Sequence, residues 1–246
     1  MSPMPKSVSL ILPATDETNA LRMTVERTRG ALLGRELQFL VVTSPKLTTP
    51  ECRAVISGLV EEYGAAVVPF DQIRAGIGGA IRDAFDRATG DYVVLMASDL
   101  ETDPAVLPTI IAKLDDGFDI AATSRWIGGA RFRGYDPLKL IFNFFFQHLF
   151  RILYWTDLTD LTYAYRAYRR DVITNIRWEE TRFPFLFETI VKPLRLGYRV
   201  AEVPAPWVAR TEGVSHNSFK QTFDYFWLGI RVRLQRAKEI GYSGQQ

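Results

Sequence analysis

Through about residue 125 the chain repeats one pattern: a short run of branched apolar residues closed by turn residues, then an amphipathic stretch. The runs fall at 8–12, 37–42, 65–68, 92–96 and 120–122, and continuous apolarity of that length predicts strands buried on both faces. Between them, 19–33, 50–63, 78–88 and 104–114 carry apolar residues at helical spacing and are expected to be crossover helices. Strand and helix in alternation imply right-handed βαβ units on a mostly parallel sheet. The fold class expected is therefore α/β, with a Rossmann-like first half. Ligands of such sheets gather beyond the carboxyl ends of the strands, so the loops starting at Pro13, Thr43, Phe70, Ala97 and Thr123 are expected to line one site.

After residue 130 the pattern changes. A very aromatic helix is expected over 138–155, then the polar segment TDLTDLTYAYRAYRR (156–170), a helix over 185–196, a strand at 199–203 and a basic, aromatic C-terminal helix. Residues 1–130 read as the Rossmann-like part and 131–246 as a second part of the same domain. The stretches 142–155 and 223–238 mix aromatic residues with cations. That mixture suits the headgroup layer of a membrane, and equally suits core packing or a dimer interface.

Composition narrows the setting. One cysteine in 246 residues leaves no intrachain disulfide framework and no cysteine-rich zinc site, which fits a reducing, cytoplasmic compartment. The formal net charge of +2 is too small to argue for nucleic acid. The N-terminal apolar run is too short for a signal peptide, and no apolar segment approaches the roughly 20 residues of a membrane span.

Chemistry concentrates in MASDLETDP, residues 96–104. An apolar strand ends there, and Asp99, Glu101 and Asp103 follow within five positions, before Pro104 opens a helix. Hard cations prefer oxygen ligands and share them with substrate phosphates, so Asp99 and Glu101 are candidates to hold Mg²⁺ or Mn²⁺ on a diphosphate. Asp103 reads first as the cap of the helix that follows. In GIGGA (76–80), Gly76, Gly78 and Gly79, with Arg74 and Arg82 on either side, suit close approach to phosphate, or a tight turn with close helix packing.

These strings resemble, in order, those of family 2 glycosyltransferases of the GT-A fold, most closely the polyprenol-phosphate (dolichol-phosphate) mannose or glucose synthases. LPATDETNAL (12–21), RAGIGGAIRDAFDRATGDYVVLM (74–96), SRWIGG (124–129), DLTYAYRAYRRDV (160–172) and GYRVAEVPAPWVARTEGVS (197–215) carry the resemblance. It implies a GDP- or UDP-sugar donor near Pro13, Thr15, Glu17, Thr43, Ser44, Gly76, Gly78, Arg82, Ser98 and Asp99. It also implies that 1–130 bind the nucleotide-sugar and 131–246 the acceptor at a membrane-facing side, that Arg125 and Arg210 stabilise phosphate charge, and that Arg131, Lys139, Glu188, Ser215 and His216 face the acceptor or its phosphate; Glu188 equally suits a structural salt bridge. Asp160 is implied as either general base or orienter.

The departures from the family pattern are specific. Ala97 stands where the first aspartate of the metal motif is usual, and Glu101 brings a carboxylate to the later polar position. Thr43 and Ser44 replace paired aspartates at the end of the second strand, and Tyr163 and Ala164 replace a Ser-Gly pair. The function implied is inverting transfer of a sugar to a polyprenyl phosphate at the cytosolic membrane face. A transferase acting on a glycan or small-molecule hydroxyl, and a degenerate nucleotide-sugar-binding protein without turnover, are the alternatives.

Overall fold

The computed structural model describes residues 5–129, 132–133, 137–208 and 220–242. Its first half runs β1 (Val8–Ala14), α1 (Asn19–Ala31), β2 (Leu37–Thr43), α2 (Pro50–Tyr63), β3 (Val67–Asp71), α3 (Gly76–Phe85), β4 (Tyr92–Leu95), α4 (Leu107–Asp115) and β5 (Ile120–Ser124). The second half contributes β6 (Phe132–Arg133), α5 (Pro137–Tyr154), β7 (Arg166–Arg169), α6 (Arg170–Thr174), α7 (Phe185–Leu196), β8 (Val200–Pro204), β9 (Trp207–Val208), α8 (Lys220–Leu234) and α9 (Ala237–Ile240).

Local signals explain most of the elements. Every residue of β4 and β5 is buried, as continuous apolar runs require when helices cover both faces of a sheet. Thr49 Oγ1 accepts the Cys52 amide at 3.2 Å and Pro50 follows at the first helical position, which is a complete start signal for α2. The third strand begins at Val67 rather than 65 and extends to Asp71. It is an edge strand, with Pro69 inside it, a position where a missing N–H is tolerated.

Seven strands form one sheet in the order β3-β2-β1-β4-β7-β5-β8. All neighbours are parallel except β7, which pairs antiparallel with both β4 and β5. The expected α/β class and mostly parallel sheet are found. The strand β7 was not expected: its sequence RAYR has arginines at both ends, and only pairing with strands far away in the chain stabilises it. Strands of both halves thus share one sheet. Its two faces bury separate apolar layers, α1, α2 and α4 on one side and α3, α5, α7 and α8 on the other. Where α8 crosses α5, a Cβ at Gly229 would overlap the Phe150 ring, so a glycine is what permits that close contact.

Candidate functional site

The carboxyl ends of β1, β2 and β4 are tied together by hydroxyl groups. Ser98, 2% exposed, donates its hydroxyl to the carbonyl of Pro13, while Thr48 Oγ1 donates to Ala14 O at 2.9 Å and accepts from Ser44 N at 2.8 Å. Glu17 is buried and its Oε2 accepts the amides of Thr15 and Asp16 at 2.7 and 3.2 Å. Burial raises the pKa of this carboxyl and the amide bonds oppose the rise. Glu17 therefore shapes the turn after β1, and Thr15 takes its place in that turn.

At the end of β2 the two hydroxyls are used inside the protein. Thr43 Oγ1 donates to Phe70 O at 3.0 Å and to Asp71 Oδ1 at 2.7 Å. Ser44 Oγ accepts from Lys46 N and Leu47 N at 3.4 and 3.3 Å. The carboxylate that β2 lacks stands one strand over, on Asp71, which also binds Arg53 at 2.8 Å. The Arg53 bond and then the Thr43 bond hold the Asp71 pKa below the ordinary carboxylate value. In the loop after Phe70, expected to line the site, Arg74 pairs with Asp83 and Asp86 at 2.6 and 2.7 Å; Asp71 was not singled out, and its place as the last residue of an apolar run was the available signal.

Beyond β4, Asp99 is 4% exposed and its Oδ1 accepts the Glu101 amide at 3.0 Å. Leu100 between them has φ +63°, the left-handed region that non-glycine residues seldom adopt. Asp103 Oδ1 accepts the Ala105 amide at 2.9 Å and caps the short helical turn at Pro104. No group of three or more His, Cys, Asp or Glu side chains converges among the described residues. The donor set still fits a hard divalent cation of the Mg²⁺ or Mn²⁺ type, because such ions commonly take one or two protein carboxylates and complete their shell with phosphate oxygens and water.

Arg125 follows β5 and faces Asp160, which precedes β7. Arg125 Nε and Nη2 lie 2.7 and 2.9 Å from Asp160 Oδ2 and Oδ1, with side-chain exposures of 7% and 0%. Asp160 also accepts from the amide of Tyr163 at 3.1 Å and from Gln147 Nε2 at 3.2 Å. Burial by itself would raise its pKa, but the Arg125 charge and the hydrogen bonds outweigh burial and hold it below the ordinary value. A carboxylate so enclosed and so stabilised as an anion is a poor proton acceptor. Of the two roles implied for Asp160, the geometry fits the orienter. Glu202 on β8 supports the same turn, accepting the amides of Thr159 and Asp160 at 2.8 and 2.9 Å.

Tyr163 joins these two clusters. Its ring lies under Arg125, 4.8 Å from the guanidinium carbon to the centroid, and its hydroxyl donates to Glu101 O at 3.1 Å. Two residues on, the Tyr165 hydroxyl donates to Asp103 O at 2.9 Å. The i, i+2 spacing of two tyrosines was the sequence signal for a shared face. Gln147 and Glu202 had no such signal.

Other expected site residues are placed elsewhere. Glu188 is fully buried on α7, where it accepts the amides of Glu179 and Glu180 at 3.0 Å and pairs with the buried Lys192 at 2.7 Å. Burial raises its pKa against those partners. In this position it clamps the chain before α7. That same chain explains the glycines. A Cβ at Gly78 would come within 2.6 Å of Phe185 Cβ, and one at Gly76 would overlap the Thr181 carbonyl. Arg82 donates to Glu179 O at 3.1 Å, and so belongs to the same α3 packing seam. Lys139 lies in the first turn of α5, and its side chain is outside the described part. Arg131, Arg210, Ser215 and His216 lie outside the described residues.

The profile of glycosyl transferase family 2 matches residues 9–177. The chain is 26% identical to a dolichol-phosphate mannosyltransferase of Pyrococcus furiosus, over 96% of this chain and 69% of the relative. It is 26% identical to an undecaprenyl-phosphate 4-deoxy-4-formamido-L-arabinose transferase of an Enterobacter species, over 89% of this chain and 65% of the relative. In fold it is similar to glucosyl-3-phosphoglycerate synthase from Mycobacterium tuberculosis in complex with Mn²⁺, uridine diphosphate and glucosyl-3-phosphoglycerate. That match has a TM-score of 0.67 at 17% identity and covers 93% of this chain and 79% of the synthase.

Proposed function

Since the chain belongs to glycosyltransferase family 2, we propose that it moves a sugar from a nucleoside diphosphate sugar to a polyprenyl phosphate, with inversion at the anomeric carbon. The observation that carries the choice of acceptor is the Asp160–Arg125 pair. A hydroxyl acceptor needs a base to take its proton, and the carboxylate implied for that task is fully buried and bonded to Arg125. A phosphate acceptor is already an anion and attacks without one.

In this reading Asp160 fixes the guanidinium plane of Arg125, so that the cation meets phosphate charge in a set orientation. Asp99, with Glu101 beside it, would hold a divalent cation that neutralises the leaving diphosphate. The curated relatives named for dolichol phosphate and undecaprenyl phosphate support the same acceptor class.

The outer surface supports it further. Along α5, Leu138, Ile141, Phe142, Phe145, Leu149 and Ile152 are all exposed at spacings of three and four, one stripe of the helix. Phe223, Trp227 and Leu234 form a similar exposed stripe on the neighbouring α8. The α5 sequence contains Lys139 and Arg151 and no acidic residue, a charge pattern that suits anionic headgroups. No described helix is long and apolar enough to cross a membrane, so the contact we propose is peripheral.

The test offers radiolabelled UDP- and GDP-sugars with a polyprenyl phosphate and, separately, with glycan and small-molecule hydroxyl acceptors. Label is expected in the organic-soluble lipid product. Transfer only to hydroxyl acceptors would overturn the reading.

A further inference from the structure

Two departures from the family pattern meet in space. Ala97 opens the loop that carries Asp99 and Glu101, and Tyr163 reaches that loop from the segment after Asp160, with its hydroxyl on Glu101 O at 3.1 Å. The loop contains Leu100 at φ +63°, a strained conformation that persists only where the surroundings hold it. Both sides of residue 101 are held: its amide by Asp99 Oδ1 at 3.0 Å, its carbonyl by Tyr163. Tyr163 is 7% exposed and also touches the other cluster, through its amide on Asp160 and its ring under Arg125.

We propose that Tyr163 is a positioning residue: its hydroxyl holds the Asp99–Glu101 turn in its strained form and in register with Arg125, so that metal-dependent binding of the donor diphosphate depends on it. This rests on the reading of Asp99 as the cation ligand. With the first aspartate of the motif replaced by Ala97, no carboxylate at residue 97 sets the geometry of the loop's start, and the tyrosine supplies an anchor from the opposite side. Tyr165 extends the contact to Asp103 O, further along the same loop.

The experiment measures binding of UDP and of GDP to the full chain by calorimetry, with and without saturating Mn²⁺, together with the thermal midpoint. Tyr163→Phe keeps the ring, the amide and the packing, and removes only the donor to Glu101. One lost hydrogen bond is expected to weaken Mn²⁺-dependent binding roughly three- to tenfold, with metal-free binding unchanged. Tyr92→Phe is the control, since Tyr92 is also buried and donates to Asp115 Oδ1 at 3.0 Å, away from the loop. It is expected to lower the midpoint comparably and to leave Mn²⁺-dependent binding at the wild-type value.

Asp99→Asn separates this inference from the reading beneath it. If Asp99→Asn abolishes Mn²⁺-dependent binding while Tyr163→Phe binds as wild type, the tyrosine role is overturned and the metal site stands. If Asp99→Asn binds as wild type, the metal site itself is wrong and the tyrosine role goes with it. Equal weakening by Tyr163→Phe and Tyr92→Phe would reduce Tyr163 to a stability residue and overturn the proposal.

Discussion

Arg125 and Asp160 face each other as a two-point ion pair, Nε to Oδ2 at 2.7 Å and Nη2 to Oδ1 at 2.9 Å, with both side chains nearly or wholly out of water. Removing one partner of such a pair leaves an uncompensated buried charge, which costs about 3–5 kcal/mol. Asp160→Asn is therefore expected to lower stability by about that amount in urea titrations and to abolish transfer.

The same pair predicts a pH dependence. The folded pKa of Asp160 is depressed, so its contribution is present above the unfolded value of about 3.9 and is lost as pH falls through the folded one. The stability difference between wild type and Asp160→Asn should be flat from about pH 8 to 5 and shrink below about pH 4. A difference that grew on acidification would contradict the assignment.

Glu188 and Lys192 make an opposite prediction. Glu188 is penalised by burial and its pKa is raised, and Lys192 also has Glu179 Oε2 at 2.8 Å, so Glu188→Gln, which keeps one accepting oxygen and loses the charge facing Lys192, should cost about 1–3 kcal/mol. The acceptor KM should not move. Lys192→Met strips the buried Glu188 of its cation and is expected to cost about 3–5 kcal/mol. A large rise in acceptor KM for Glu188→Gln would show a role in acceptor binding.

Leu100 stores local strain at φ +63°. Leu100→Gly enters the left-handed region without a Cβ clash, and is expected to raise stability by about 0.5–1 kcal/mol by chemical denaturation. A loss of stability would show that Leu100 packing outweighs the backbone term.

The exposed stripes give a binding prediction. Phe145 is 67% and Trp227 65% exposed, so neither supports the core. Phe145→Ser with Trp227→Ser should leave Mn²⁺-dependent nucleotide binding intact and reduce cosedimentation with phosphatidylglycerol vesicles at least about tenfold, given about 1.5–3 kcal/mol for each fully buried large apolar side chain. Unchanged sedimentation would argue that these faces meet something other than a bilayer.

What could be read along the chain was set by periodicity. Buried parallel strands announce themselves as continuous apolar runs, and the carboxyl end of β4 with Asp99 and Glu101 was legible because strand, turn and helix start follow one another locally. The family was legible from the order of its motifs. By contrast β7 was hidden, because a four-residue strand with arginines at both ends exists only through pairing with strands more than forty residues away.

The roles inside the site were hidden for the same reason. Asp160 and Arg125 were both visible as charges, but their bond spans thirty-five positions, and nothing local shows that the carboxylate is occupied by a guanidinium. Glycines at 76 and 78 suit phosphate or packing equally until the Thr181 and Phe185 backbone and side chain arrive against them. Fold class, family and the sheet edge that carries the candidate site were open to reading along the chain, because those follow from local patterning. Which polar groups neutralise one another, as Arg125 and Asp160 do, depends on long-range contacts made when the sheet assembles, and no local pattern carries that information.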